Sequence, residues 1–152
     1  MNTPPSPAQA AASEYARRRE IALRAVSQGH WAEERAEAAL APWAAIALLA
    51  GADVPQLRES LAEQVRIAHS PWWASRARSL LADDLSPRGQ WRAVLAEARD
   101  RALNRFTQPE PAGQAEADRA IPLVTLANHF GLPGWRPPSI AEGTAEPERQ
   151  AA

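Results

Sequence analysis

The chain has 152 residues, a length that fits one domain with a self-sufficient core. Hydrophobic residues make up 45% of the chain while glycine and aromatic residues are scarce, a composition that favours helices over a sheet with many turns. The absence of cysteine excludes disulfides, thiolate nucleophiles and cysteine-ligated metals. A net charge of -1 without a long basic run argues against a broad, non-specific nucleic-acid binder.

The N-terminal residues 1–9 are rich in proline, alanine and serine, and they predict a flexible lead-in. This segment has no basic stretch followed by an apolar one, so it does not resemble a secretory signal, and we expect a cytoplasmic protein. A first helix is predicted over residues 10–27, with Gly29 ending it. We expect its inner side to carry Tyr15, Ala22, Leu23 and Val26.

The most distinctive segment is the uncharged run AALAPWAAIALLAGA over residues 38–52. It is apolar on all sides, as a helix enclosed by other helices would be, and it is shorter than the roughly 20 residues that a membrane span needs. We therefore predict a central buried helix that opens at His30 and Trp31 and ends at Gly51. Pro42 should kink or divide this helix because it lacks the amide proton that the helical ladder uses.

Three pairs of a capping residue and a proline predict the starts of further helices, namely Asp53 with Pro55, Ser70 with Pro71, and Ser86 with Pro87. Apolar stripes at helical spacing follow the first and the last of these signals, at Val54, Leu57, Leu61, Val65 and Ala68, and at Trp91, Leu95, Ala98, Ala102 and Phe106. A last short helix near Pro122 should end at Gly131, with Leu132 packing back against it.

These signals together predict an all-α fold, a single-domain bundle of five to six helices over residues 10–131 with a central apolar helix and flexible termini. Residues 132–152 are rich in proline and acidic residues, and they are typical of an extended tail.

No group of residues carries a catalytic, cofactor or metal signature. His30, Glu34 and Glu37 would share one helix face, but they are explained as a solvated helix start whose acids complement the helix dipole. His69 could meet the acidic pair at 83–84, yet no nucleophile accompanies them. We therefore expect a protein that is not an enzyme and that needs no cofactor or metal.

Six tryptophans are the one compositional excess with functional potential. Neighbours on a helix point about 100° apart, so Trp72 and Trp73 cannot both face one core, and Trp72 is the candidate for an exposed anchor. We expect the core or the helix starts to hold Trp31, Trp43, Trp73 and Trp91. Trp135, followed by Arg136 in a proline-rich segment, either docks on its own domain or binds another chain.

Two functional hypotheses follow. The first is a non-enzymatic helical protein-interaction module, an adaptor or regulatory protein of bacterial or phage origin, that binds another protein through Trp72, Trp135 and Arg136. The alternative is a nucleic-acid-associated protein in which Arg88, Arg92 and Arg99, within about 40° of one another on a helix, contact phosphates. Neither hypothesis involves a membrane, and self-association into a homo-oligomer stays open.

Overall fold

Helices are the only regular elements in the described part of this computed structural model, which covers residues 3–106 and 113–134. Seven α-helices lie in these residues: α1 (Pro7–Ser27), α2 (Glu33–Leu49), α3 (Arg58–Arg66), α4 (Pro71–Ser75), α5 (Ala77–Leu85), α6 (Trp91–Phe106) and α7 (Gln114–His129). Short 3₁₀ turns precede α3 and α6, at Pro55–Leu57 and Pro87–Gly89. The all-α prediction is confirmed, and the count exceeds the predicted five to six because the segment after Ser70 breaks at Arg76 into α4 and α5.

The helix α2 lies at the centre of the bundle, where it packs against α1, α5 and α6. Its residues from Trp43 to Leu48 are buried on every side, as the uncharged run predicts. Alanine dominates this stretch, and its small side chain allows the neighbouring helices to approach closely. Pro42 lies inside α2 without dividing it.

Three helices end in the same glycine-dependent motif, as the sequence predicts. Gly29, Gly51 and Gly131 follow α1, α2 and α7 with φ angles of 75°, 79° and 64°, a region that favours glycine. After α7 the amide of Gly131 donates to the Asn128 carbonyl and the amide of Leu132 donates to the Ala127 carbonyl, which is the hydrogen-bond pair of a Schellman motif. Leu132 packs against the core, as expected.

The boundaries of α1 and α2 differ from the prediction by a few residues. Ser6 and Gln9 form a capping box, since each side chain accepts a hydrogen bond from the other residue's backbone amide, and α1 therefore begins at Pro7 within the predicted lead-in. The helix α2 begins at Glu33 and not at His30, because the amides of His30 and Trp31 both donate to the carbonyl of Ala25 and close α1.

Two expected inward faces are only partly buried. The helix α1 packs on α2 and α7, which leaves Leu23 on its outer side and half exposed. The helix α3 packs on α4 and α5, so Leu61 reaches the core while Val65, one turn later, faces solvent. Asp53 does not cap a helix, because both of its carboxylate oxygens accept hydrogen bonds from Arg58.

An arginine ties α5 to the end of the central helix. Arg78 Nη1 donates to the carbonyl oxygens of Leu48 at 3.2 Å and Ala52 at 3.1 Å. The last carbonyls of a helix have no partner within the helix and carry its negative dipole end, so a guanidinium placed there supplies both a donor and a favourable charge.

Candidate functional site

The short helix α4 presents two adjacent tryptophans on the surface. Ser70 caps this helix, since its Oγ accepts a hydrogen bond from the Trp73 amide at 3.4 Å, and Pro71 occupies the first turn. Trp72 is 53% exposed and Trp73 is 44% exposed. The exposure of Trp72 agrees with the expectation. Trp73, expected in the core or at a helix start, lies in the first turn of α4 and is not buried in the core. A helix of five residues at the edge of the bundle leaves both rings half exposed.

The two rings contact each other, and Trp73 borders a surface cleft. Their centroids lie 4.8 Å apart in an edge-to-face arrangement, a favourable aromatic geometry. Trp73 borders a cleft of about 230 Å³ together with the exposed Ile67, and the remaining lining comes from Gln64, Ala68, His69 and Leu80. The cleft therefore lies where α3, α4 and α5 meet.

A cation adjoins this aromatic pair. The guanidinium carbon of Arg76 lies 4.8 Å from the centroid of the Trp72 ring, within the range of a cation–π contact. Within residues 3–106 and 113–134, Arg76 forms no ion pair with a carboxylate. We refer to Ile67, Trp72, Trp73 and Arg76, with the cleft beside them, as the aromatic surface.

The other tryptophans in the described residues lie within or against the bundle. Trp43 and Trp91 are buried, as predicted, and Arg18 stacks on Trp43 while Phe130 packs edge-to-face on Trp91. Trp31 is partly buried, with Arg35 over its ring. Trp135 and Arg136, the other two candidate protein-binding residues, lie outside the described residues.

The three arginines of the nucleic-acid hypothesis do not form one free face. Arg99 is only 6% exposed and its Nη1 donates to the Pro133 carbonyl. Arg92 Nη2 donates to the Phe130 carbonyl at 3.2 Å. Both side chains thus attach α6 to the chain that follows α7. Arg88, at φ 60° in the 3₁₀ turn before α6, is exposed.

A buried carboxylate holds a second group of arginines that the sequence analysis did not identify. Glu14 on α1 is buried, and its Oε2 accepts hydrogen bonds from Arg17 Nη2 at 3.1 Å and Arg18 Nε at 3.0 Å. Arg17 Nε is also buried, and it has no acceptor in the described part of the chain. One buried donor beside Glu14 is therefore without an acceptor among the described residues.

These arginines adjoin a basic cavity between four helices. Arg18 on α1, Arg101 and Arg105 on α6, and Arg119 on α7 line a cavity of about 230 Å³ whose apolar lining includes Trp43. Burial lowers the pKa of Arg18, an effect that the Glu14 carboxylate opposes. The only local signal in the sequence is the spacing of Arg101 and Arg105, four residues apart on one helix face.

Neither a metal site nor a membrane span is present in the described ranges. No group of three or more histidine, aspartate or glutamate side chains there is arranged to hold a metal ion, so His30, Glu34 and Glu37 do not form one. No helix in that part of the chain has both the length and the apolar character needed to cross a bilayer. Comparison with protein-family models, with curated proteins and with solved structures gives no match to the chain.

Proposed function

We propose that this protein is a non-enzymatic interaction module, an adaptor or regulatory protein, that binds another protein through the aromatic surface. The observation that carries the proposal is the pair of half-exposed tryptophans beside an apolar cleft and an arginine without an ion-pair partner in the described residues. Tryptophan and arginine are the residue types that most often dominate the binding energy of protein interfaces.

The stability of the fold does not explain why two tryptophans occupy these surface positions. Large aromatic rings contribute to stability in proportion to the apolar area that they remove from water, and both rings keep about half of theirs exposed. Burial of that remaining area by a partner would add binding energy. The contact between the two rings restricts their rotamers, which reduces the side-chain entropy that binding would cost.

The chemistry of the surface specifies the partner segment. The cleft beside Trp73 suits an apolar side chain, and the Arg76 guanidinium over the Trp72 ring suits a carboxylate. We infer a partner segment that carries an aliphatic or aromatic residue next to an aspartate or glutamate.

The test is affinity purification from the organism that encodes the chain, followed by binding measurements with the purified partner. Three tagged proteins are compared: the wild type, the double variant Trp72→Ala/Trp73→Ala, and a control double variant Leu23→Ala/Ile121→Ala. The control removes two side chains of similar exposure, 48% and 44%, from helices α1 and α7. We expect a protein that the wild type and the control retain and that the tryptophan variant loses. Thermal melts establish that all three proteins are folded.

Charge reversal then tests the inferred partner chemistry. Arg76→Glu should weaken binding of the purified partner about tenfold or more, and substitution of the partner's acidic residue by lysine should restore it. Retention of every captured protein by the tryptophan variant would contradict the proposal. Concentration-dependent dimerisation that the tryptophan variant abolishes would contradict it as well, since a second copy of this chain would then be the occupant of the surface.

A further inference from the structure

The basic cavity between α1, α2, α6 and α7 brings four arginines together, of which Arg101 and Arg105 are exposed to solvent. The four arginines come from three helices: Arg18 from α1, Arg101 and Arg105 from α6, and Arg119 from α7. The side chain of Arg18 is fixed in place, because its guanidinium carbon lies 3.7 Å from the centroid of the Trp43 ring and its Nε donates to Glu14. One side of the cavity is therefore formed by an arginine that the neighbouring side chains hold in position.

Carboxylates of the described residues neutralise this charge only in part. Glu97 lines the cavity and accepts a hydrogen bond from Arg101, and Glu14 accepts from Arg17 and Arg18. Arg105 and Arg119 form no ion pair within residues 3–106 and 113–134. Among the described residues, the cavity lining therefore carries more arginines than carboxylates.

The excess has an electrostatic cost. Burial is the main cause that lowers the pKa of Arg119, and the charge of Arg17 lowers it further, while Glu14 opposes the shift by more than Arg105 adds to it. The pKa of Arg18 is also lowered, mainly by burial; Glu14 opposes this shift, and the charges of Arg17 and Arg119 make smaller contributions to it. Guanidinium groups stay protonated at neutral pH, so the repulsion persists in the folded protein. An anion in the cavity would remove it.

We propose that this cavity binds a small phosphate-bearing polyanion of the size of inorganic diphosphate. The planar guanidinium donates two parallel hydrogen bonds to phosphate oxygens, and several guanidinium groups together suit a ligand with more than one negative charge. A volume of about 230 Å³ lies below the roughly 300–1,000 Å³ of sites for drug-sized ligands. One or two phosphate groups fit this space better than a whole nucleotide.

The site is independent of the proposed protein-binding function. The aromatic surface lies on α3, α4 and α5, whereas the cavity is formed by α1, α2, α6 and α7. Failure of one proposal therefore leaves the other unaffected.

The test is calorimetric titration of the full chain with inorganic diphosphate at low ionic strength, with inorganic phosphate as a smaller probe. The variants are Arg119→Gln and Arg105→Gln, and the control is Arg24→Gln, which removes the same charge from an exposed arginine on α1. We expect each cavity variant to weaken diphosphate binding about tenfold or more, the effect of losing a charge-assisted hydrogen bond. The control should change affinity by less than about threefold, because an exposed charge interacts weakly through solvent.

Thermal melts supply a second readout that does not depend on binding heat. Diphosphate should raise the melting temperature of the wild type and of Arg24→Gln, but not that of Arg119→Gln. Without ligand, Arg119→Gln should melt at or above the wild-type temperature, since it removes one of the mutually repelling charges, so loss of binding is not explained by unfolding.

Three results would overturn the proposal. The first is the absence of both heat and thermal stabilisation at millimolar diphosphate. The second is an equal loss of affinity in Arg119→Gln and Arg24→Gln, which indicates diffuse attraction to the whole surface. The third is tighter binding of a single-stranded oligonucleotide than of diphosphate, lost in Arg119→Gln, which assigns the cavity to a nucleic-acid backbone instead of a small anion.

Discussion

Glu14→Ala removes the buried carboxylate that holds Arg17 and Arg18 against α1. The substitution deletes two charge-assisted hydrogen bonds, of 3.1 and 3.0 Å, and leaves both guanidinium groups near the positive charge of Arg119. Removal of one partner from a fully buried ion pair costs about 3–5 kcal/mol. The side chains of Arg17 and Arg18 keep 30% and 25% of their exposure, so water solvates part of the freed charge. We therefore expect a loss of about 2–3 kcal/mol in the free energy of unfolding.

Urea unfolding followed by circular dichroism measures this loss, and Glu20→Ala on the same helix is the matched control. Glu20 also pairs with an arginine four residues later, Arg24, but the two side chains are 72% and 62% exposed. An exposed pair of this kind contributes at most about 1 kcal/mol. Equal effects of the two substitutions would refute the reasoning, since burial is what distinguishes the two glutamates.

A double-mutant cycle separates charge from packing. In the Glu14→Ala background, Arg119→Gln removes a cation whose repulsion Glu14 no longer offsets, so it should recover part of the lost stability. An additive outcome would mean that Glu14 stabilises α1 through packing alone, and that Arg119 does not respond to its charge.

Three further outcomes are expected from single residues. Leu95→Ala, at a fully buried position, should lower the free energy of unfolding by about 2–5 kcal/mol, whereas the half-exposed Leu23→Ala should change it by about 0.5 kcal/mol or less in urea titrations. Arg78→Ala removes two hydrogen bonds to carbonyls at the end of α2 and should cost about 1–3 kcal/mol, more than the exposed Arg24→Ala, by the same measurement. Burial raises the pKa of Tyr15, the single tyrosine, above its ordinary 10.0, and the charge of Arg19 opposes this shift. The neutral phenol therefore contributes its full stabilisation below pH 10, and this contribution is lost as the pH rises through the folded-state pKa. An ultraviolet titration that shows an ordinary or lowered pKa in the native protein would contradict this.

Features that depend on a few neighbouring residues could be predicted from the sequence. The left-handed glycines at 29, 51 and 131 end their helices because the motif needs only local hydrogen bonds. The central position of α2 also follows from its composition, since a helix that is apolar on all sides must be enclosed. The cap at Ser70 is likewise local, although the break at Arg76 left no comparable sign in the sequence.

Features that depend on helix packing could not be predicted. Whether Val65 or Trp73 is buried depends on which helices cover α3 and α4, and the apolar periodicity of each helix is the same in either case. The basic cavity joins Arg18, Arg101 and Arg119, which are far apart in the chain. Helical spacing alone predicts that Arg99 shares an exposed face with Arg88 and Arg92. It could not predict that Arg99 donates to the carbonyl of Pro133, because that residue lies 34 positions later in the chain.

The two candidate sites draw on separate helices, and this separation has an experimental consequence. The helix α4 has five residues, too few to be stable alone, and it packs against α3 and α5 at one edge of the bundle. Substitutions there should leave the interior formed by α1, α2, α6 and α7 in place. A variant of the aromatic surface is thus a folded control for anion binding, and a variant of Arg119 is a folded control for partner binding. Coupled losses at both sites would instead require one ligand, or one conformational change, that spans the central helix between them.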